Sequence, residues 1–247
     1  MLQKRIKEFN ERASWLREGV LYHRGKHNEN IKENSMKAFE EAVKDNLGVE
    51  LDVRLTKDNL VVVSHDSNLN RVYGINKNID DLTYEEVKKL TNDGVPLFSD
   101  VLKLINNKIG VMVEIKSNKV GKLEEIVYEI LKKYKGRYVI VCFNPFTLRY
   151  FRKKDKSIIR GQLSYSYYDS KLSKIKRFLL SHLWLNVFSK PHFISYGIDH
   201  CNYKLLKKYH DKGYFVIGWT YKDEKNKVAL KEIYDNMIIE NLNIREF

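Results

Sequence analysis

The chain has 247 residues, of which 43% are hydrophobic and 31% are charged, with only three prolines and twelve glycines. These values are typical of a globular protein with a full apolar core, and they exclude a long low-complexity or disordered segment. The net charge of +13 favours anionic ligands. Its lysines are spread along the chain and no zinc knuckle, helix-turn-helix glycine turn or aromatic RNA-binding motif occurs, so we expect no nucleic-acid partner.

Two cysteines, Cys142 and Cys201, are too few and too far apart to form a disulfide framework or a zinc site. We expect both to be reduced. Residues 1–19 carry charges throughout and contain no apolar core of a signal peptide. The sequence therefore predicts a cytoplasmic protein without a signal peptide or a transmembrane span.

Extended and helical patterns alternate along the chain. Apolar residues at steps of three and four predict a first amphipathic helix that ends near Gly19. Apolar β-rich runs follow at 20–23, 48–53, 110–115, 138–143, 158–164, 192–196, 214–220 and 236–240. Helical patterns occur at 35–46, 83–92, 99–106, 120–134, 145–155, 171–188, 202–212 and 226–234.

This alternation predicts parallel strands joined by right-handed crossovers. Eight such units in a chain of this length favour an α/β fold, a (β/α)8 TIM barrel, in a single domain over residues 1–247. A doubly wound open sheet is the competing architecture. That fold more often carries a glycine-rich nucleotide loop, and the chain contains no G-x-G-x-x-G or Walker sequence.

One segment departs from the alternation. Residues 53–66, VRLTKDNLVVVSHD, contain two extended runs, which predicts a β-hairpin on the second strand. With its turn centred between Asp58 and Asn59, the hairpin places His65 opposite Asp52. Residues 67–100 follow this hairpin and precede the next predicted strand.

Acidic residues interrupt two of the predicted strands. Glu50 and Asp52 are two residues apart and therefore share a face, and Glu114 lies on another strand with Lys116 on its own face. Taken alone, each acid is most simply a solvated strand end paired with a lysine or arginine. Together they require a partner, because burying unpaired charge is costly. Three oxygen ligands suit Mg²⁺ or Ca²⁺ better than zinc.

Two of the seven histidines end apolar runs, His23 and His65. Two imidazoles at one centre can act as general base and general acid near neutral pH. Arg24 adds a planar guanidinium that suits phosphate oxygens. We interpret the other five as structural or surface residues: His27, His182, His192, His200 and His210.

These residues follow one another in the order of a known family's motifs. Six pieces of the chain resemble the glycerophosphodiester phosphodiesterases: His23-Arg24-Gly25, Glu33-Asn34-Ser35, Glu50-Leu51-Asp52, His65-Asp66, Glu114-Ile115-Lys116 and Trp219-Thr220. Together they span most of the sequence. The chain departs from the family's pattern at Lys32, where a proline is usual before the Glu33 motif. The resemblance also implies an insertion after the hairpin on the second strand, and residues 67–100 would be a short version of it.

The resemblance implies a metal-dependent hydrolase that converts glycerophosphodiesters to glycerol 3-phosphate and an alcohol. Three acids would hold the divalent cation, Mg²⁺ or Ca²⁺: Glu50, Asp52 and Glu114. His23 and His65 would form the acid–base pair, and we assign His23 as base and His65 as acid. Arg24 and Lys116 would bind the phosphate, while Trp219 would lie against the glycerol carbons. The nucleophile is either water or the substrate's own free glycerol hydroxyl.

The segment 171–191, KLSKIKRFLLSHLWLNVFSKP, is the part least like the family. Its basic start precedes apolar residues that nearly encircle a helix and are too few to cross a bilayer. It is either a helix buried in the barrel shell or an interfacial helix on an anionic membrane. Lipid contact would extend the substrates to lysophospholipids.

Three alternatives to the hydrolase remain open. The first two are a lysophospholipase D-like enzyme and a phospholipid head-group lyase, both acting at a membrane surface. The third is a barrel that only binds anions, although a pure binder has no need for three acids beside a phosphate site.

Overall fold

The computed structural model describes residues 2–222, 232–240 and 242. The helices are α1 (Leu2–Arg12), α2 (Met36–Lys44), α3 (Asn70–Tyr73), α4 (Tyr84–Thr91), α5 (Phe98–Ile105), α6 (Lys122–Lys133), α7 (Pro145–Lys154), α8 (Lys174–Ser181), α9 (Asn186–Ser189) and α10 (Tyr203–Asp211). The strands are β1 (Leu21–His23), β2 (Gly48–Leu55), β3 (Val61–Val63), β4 (Val111–Ile115), β5 (Tyr138–Cys142), β6 (Arg160–Ser164), β7 (Phe193–Gly197), β8 (Phe215–Tyr221) and β9 (Asn236–Ile239).

Every predicted strand is present, and the alternation of parallel strands with helices confirms the α/β fold of the (β/α)8 TIM-barrel class. The first helix ends earlier than predicted and continues as a 3₁₀ turn, Ser14–Arg17. Of the predicted helix 226–234, residues 226–231 lie outside the described residues. The single domain over 1–247 stays a prediction.

The prediction of one helix over 171–188 was wrong. Two short helices, α8 and α9, occupy this segment, and Leu183 between them has φ 59°. A residue in this left-handed region cannot continue a right-handed helix.

The first of two compact units comprises Leu21–Tyr138. Within it β1, β2 and β4 are parallel with β2 in the middle, and β3 pairs antiparallel with the end of β2. Most of β2 and all of β4 is buried, which explains the nearly continuous apolar runs in the sequence. The short insertion after the hairpin packs around a small apolar cluster: Val62, Leu69, Ile79, Leu82, Val87 and Val95.

The predicted hairpin is present, but its predicted register was wrong by one residue. Asp52 stands opposite Ser64, whose N–H donates to the Asp52 carbonyl at 3.0 Å, and not opposite His65. The turn has three residues, 57–59, and its last residue, Asn59, is left-handed at φ 62°. Hairpins with a three-residue loop commonly end in such a residue, and this loop length moves the centre of the turn by half a residue.

The second compact unit comprises Met1–Val20 and Val139–Phe247. It contains residues 139–142 of β5 and all of β6, β7, β8 and β9. These strands are parallel and pair in chain order. Helix α1 contacts this sheet through Phe9, whose ring centroid lies 5.7 Å from that of Phe193 and 4.9 Å from that of Phe215. Within the described part of the chain, none of the helices combines the length and the apolar character that crossing a bilayer requires.

His192 is a structural histidine of this second unit, as the sequence predicted. Its side chain is buried, with Nδ1 accepting a hydrogen bond from the Arg160 N–H at 3.1 Å. Because Nδ1 accepts, the ring proton lies on Nε2, which is 3.3 Å from Glu8 Oε2. Burial, reinforced by Arg160 and Arg5, lowers the pKa of His192 to about 3, so the ring is neutral in the folded protein.

Candidate functional site

Three carboxylates of the first unit converge between β2 and β4. Glu50 and Asp52 lie on one face of β2, and Asp52 is the register partner of Glu114 on β4. All three side chains are buried, and each offers an oxygen within 4.8 Å of the others. Among the described residues this is the one group of three or more acidic, histidine or cysteine side chains close enough to hold a metal ion.

The turn after β1 places a guanidinium against these acids. Arg24 and Gly25 are both left-handed, at φ 57° and 78°. A Cβ on Gly25 would lie 2.9 Å from the Cβ of Ala38 on α2, so glycine is required by space as well as by conformation. The backbone N–H of Arg24 donates to Glu50 at 3.3 Å, and the guanidinium Nε of Arg24 lies 3.5 Å from Asp52.

The next motif holds Arg24 and Asp52 in place. Glu33 accepts a hydrogen bond from the Arg24 guanidinium at 2.9 Å. Asn34 is buried and left-handed at φ 55°, and its Nδ2 donates to Asp52 Oδ2 at 3.0 Å. Ser35 caps the N-terminus of α2. Each residue of this motif therefore holds a different part of the site: Glu33 holds Arg24, Asn34 holds Asp52, and Ser35 holds the start of α2.

Lys116 provides a second cation. Its Nζ lies 2.7 Å from Glu114 and 3.1 Å from Asp52. Burial opposes the ammonium charge of Lys116, but Asp52 and Glu114 outweigh burial and raise its pKa. The side chain is therefore held as a cation beside the acids.

The acids themselves differ in their electrostatics. Burial, followed by Asp52 and Glu114, raises the pKa of Glu50 well above its usual range. Burial also raises the pKa of Glu114 to about 7, although the positive charge of Lys116 acts to lower it. For Asp52 burial acts in the same direction, but Lys116, His65 and Arg24 together outweigh it and lower the pKa. The cluster therefore lacks enough positive charge to hold all three acids ionised. A bound cation would supply the missing charge and favour the ionised form of each acid.

Two further groups orient His65. Asp66 Oδ1 lies 2.7 Å from His65 Nδ1, and because an ionised carboxylate can only accept, Nδ1 carries the proton. Arg71 donates to Asp66 at 2.5 Å and to the two oxygens of Glu33 at 2.8 and 2.6 Å. It therefore connects the carboxylate that holds His65 with the one that holds Arg24. Arg54 donates to the His65 carbonyl through Nε at 2.9 Å and through Nη2 at 2.7 Å.

Burial, followed by the effect of Lys116 and Arg24, lowers the pKa of His65, although Asp52 and Asp66 oppose this shift. His23 ends β1 as the register partner of Glu50, so the two residues share a face of the sheet. The first unit therefore carries seven of the eight predicted site residues: His23, Arg24, Glu50, Asp52, His65, Glu114 and Lys116.

The eighth, Trp219, belongs to the second unit and lies in an aromatic cluster there. Its ring centroid is 5.7 Å from that of Phe143 and 6.1 Å from that of Tyr165, which directly follow β5 and β6. The indole Nε1 is buried and has no hydrogen-bond partner among the described residues. Neither neighbouring ring was predicted to belong to the site, although Phe143 ends one predicted strand and Tyr165 directly follows another.

The supporting roles of Arg54 and Arg71 were not predicted either. Arg54 stands two residues after Asp52, so strand alternation could have revealed it. Arg71 lies on the four-residue helix α3, where no periodic pattern marks it.

Comparison with known proteins agrees with this geometry. The model of the glycerophosphoryl diester phosphodiesterase family matches residues 23–241. The chain belongs to this family. Two curated members, the glycerophosphodiester phosphodiesterase of Caldanaerobacter subterraneus and human lysophospholipase D GDPD1, are 35% and 36% identical to it over 150 and 142 residues. These alignments cover 54% and 50% of this chain, and the chain spans only 61% and 44% of the two relatives' own lengths.

A solved structure covers more of the family fold. The glycerophosphodiester phosphodiesterase of Thermotoga maritima superimposes with a TM-score of 0.72 at 28% identity, over 89% of this chain and 93% of that chain. The likeness supports the TIM-barrel class assigned above to this family member.

Proposed function

We propose that this family member hydrolyses glycerophosphodiesters to glycerol 3-phosphate and an alcohol, using a divalent cation. One observation carries the proposal: Glu50, Asp52 and Glu114 converge in a buried cluster next to Arg24 and Lys116. A phosphodiester needs positive charge around its oxygens, and this cluster can supply it from a cation and two side chains.

The three acids would hold the cation, because hard oxygen ligands suit Mg²⁺ and Ca²⁺ and because the acids lack enough positive charge of their own. When bound, the cation supplies Lewis-acid stabilisation to a phosphate oxygen. Arg24 and Lys116 would bind the remaining phosphate oxygens. Arg24 is suited to two parallel hydrogen bonds, and Lys116 acts as a point charge.

His23 and His65 would exchange the protons of the reaction. With Nδ1–H donated to Asp66, the exchangeable site of His65 is Nε2, and the Arg54 hydrogen bonds fix the backbone of the same residue. We assign His65 to protonation of the departing alcohol and His23 to removal of the proton from the nucleophile, water or the substrate hydroxyl. Trp219 would provide an apolar surface for the glycerol carbons.

A second candidate substrate class is the lysophospholipids. It is favoured by the large apolar side chains that α8 and α9 expose and by the similarity to human lysophospholipase D GDPD1. The head-group lyase remains the alternative in which the substrate hydroxyl attacks and a cyclic phosphate is the product. We further propose a reducing compartment such as the cytoplasm, which agrees with two unbridged cysteines, Cys142 and Cys201.

Phosphorus NMR tests the proposal directly. Purified protein is incubated with glycerophosphocholine, glycerophosphoethanolamine and lysophosphatidylcholine, with and without a chelator. We expect release of glycerol 3-phosphate or lysophosphatidate, loss of release in chelator, and recovery with Mg²⁺ or Ca²⁺. The Glu50→Gln variant should not recover at the same cation concentration. Turnover that persists in chelator would remove the cation from the mechanism. If no substrate is turned over, the interpretation that remains is a barrel that only binds anions.

A further inference from the structure

The surface formed around α8 and α9 exposes large apolar side chains that a helix of a barrel shell would bury. This α8–α9 surface comprises Phe146, Ile175, Phe178, Trp184, Val187 and Phe188. Ile175 is 73% exposed, Val187 65% and Trp184 60%. Single exposed apolar residues are ordinary, but a contiguous group of them indicates an interaction surface.

Ring contacts join residues of this surface in pairs across neighbouring elements. The centroids of Phe178 and Trp184 are 6.0 Å apart and join α8 to the turn that follows it. Those of Phe146 and Phe188 are 5.6 Å apart and join α7 to α9. Ile175 precedes Phe178 by three residues and therefore lies on the same face of α8.

Polar anchors hold the two helices in this orientation. The one buried residue of α8 is Ser181 and that of α9 is Ser189, in helices whose residues are all described. The hydroxyl of Ser164 donates to the Leu180 carbonyl at 2.8 Å, and the hydroxyl of Tyr196 donates to the Ser181 carbonyl at 3.0 Å. Ser181, Ser189 and two backbone carbonyls thus face the unit, and Leu183 between the helices is buried with them. The large apolar residues of the α8–α9 surface face outward, the reverse of the usual amphipathic arrangement.

The charge around the surface indicates what covers it. Residues 170–198 contain no aspartate or glutamate, and their cationic residues are Lys171, Lys174, Lys176, Arg177 and Lys190. The guanidinium of Arg149 lies 5.9 Å from the ring centroid of Phe188. Like charges oppose a second copy of this chain at the same surface, whereas an anionic surface is attracted. Exposed aromatic residues bordered by lysine and arginine are typical of helices that lie in a membrane interface.

We propose that the α8–α9 surface binds an anionic lipid bilayer, with Phe178 and Trp184 entering the headgroup region and the flanking cations contacting lipid phosphates. The two short helices lie along the interface and do not cross it. The proposal does not rest on the proposed reaction, because lipid binding is measured without turnover.

Vesicle co-sedimentation of the full chain tests this. Vesicles of phosphatidylcholine and phosphatidylglycerol in equal parts should retain the protein, and high salt should weaken the retention. Vesicles of phosphatidylcholine alone should bind it less. Phe178→Ala and Trp184→Ala should each lower the partition coefficient about tenfold, because each removes a large exposed apolar side chain that the bilayer would bury. Lys174→Gln combined with Arg177→Gln should lower it by at least about tenfold on the anionic vesicles.

Matched controls lie on α10 of the same unit. Tyr203→Ala removes an aromatic side chain that is 41% exposed, and Lys204→Gln with Lys208→Gln removes two charges. Both should bind as the wild-type protein does. All of these substitutions are at surface positions, so unfolding curves should change by less than about 0.5 kcal/mol and lost binding cannot reflect unfolding.

Three results would overturn the proposal. The first is wild-type protein that stays in the supernatant with both vesicle types. The second is retention that Phe178→Ala and Trp184→Ala leave unchanged. The third is a dimer in light scattering that Trp184→Ala disperses, which would make a second copy the occupant. A failure to hydrolyse soluble glycerophosphodiesters would affect the proposed reaction and not this one.

Discussion

Replacing Asn34 by aspartate should lower both the stability of the protein and its turnover, while the side chain keeps nearly the same shape. Asn34 donates to Asp52 from a buried, left-handed position, and aspartate tolerates that conformation. Asn34→Asp removes a hydrogen bond to a charged group, about 1.5–3 kcal/mol. It also adds a carboxyl to a cluster of three acids. At about 2–4 °C per kcal/mol for a chain of this size, the melting temperature should fall by roughly 3–12 °C.

The effect should depend on pH in a defined direction. Burial beside Asp52 raises the pKa of the new carboxyl at position 34 above its unfolded value. The lost stability is therefore recovered as pH falls below the folded pKa, where a protonated acid can again donate to Asp52, and the deficit grows as pH rises through it. Turnover near neutral pH should decrease by about 10- to 100-fold, the usual effect of losing a group that orients a metal ligand.

Thermal unfolding of chelator-treated protein over a pH series, combined with the phosphorus NMR assay, measures both effects. Asn59→Asp is the matched control, because Asn59 is also left-handed, at φ 62°, but is exposed in the hairpin turn. It should stay within about 0.5 kcal/mol of wild type. Equal stability and turnover of Asn34→Asp and Asn59→Asp would refute the supporting role of Asn34.

Three further predictions concern separate parts of the chain. His23→Ala and His65→Ala should each reduce turnover by roughly 100-fold or more with little change in melting temperature, and near wild-type turnover would remove that histidine from catalysis. Gly25→Ala should destabilise the fold by about 1–3 kcal/mol more than Gly74→Ala, since both glycines have positive φ but only Gly25 meets Ala38; equal costs in denaturant titration would contradict the close approach. Because the folded pKa of His192 lies below its ordinary value of 6.5, stability falls as pH drops below 6.5, by about 2 kcal/mol at pH 5, and His192→Asn should remove this part of the pH dependence.

The sequence predicted the elements well because buried parallel strands interrupt a basic, lysine-rich chain so clearly. The acids Glu50, Asp52 and Glu114 could be recognised for the same reason, since they interrupt apolar runs at a spacing of two. The hairpin was recognised but its register was not, because register depends on whether two or three residues form the turn. The turn has three residues because Asn59 adopts the left-handed conformation.

Other features could not be predicted from periodicity. The apolar residues of 171–188 nearly encircle a helix, so no pattern showed which side is buried or that a left-handed Leu183 separates two short helices. The contact between Asn34 and Asp52 depends on a left-handed turn and has no repeat that could reveal it. Arg71 joins Glu33 to Asp66 across the chain, and only the folded unit brings these three residues together.

The central claim is that Glu50, Asp52 and Glu114 form one divalent-cation site. Crystals soaked in Mn²⁺ and measured at the manganese absorption edge test this most directly. We expect an anomalous difference peak bounded by oxygens of all three carboxylates, and no such peak in the Asp52→Asn protein. A peak bound elsewhere, or carboxylates too far apart to share one ion, would contradict the account.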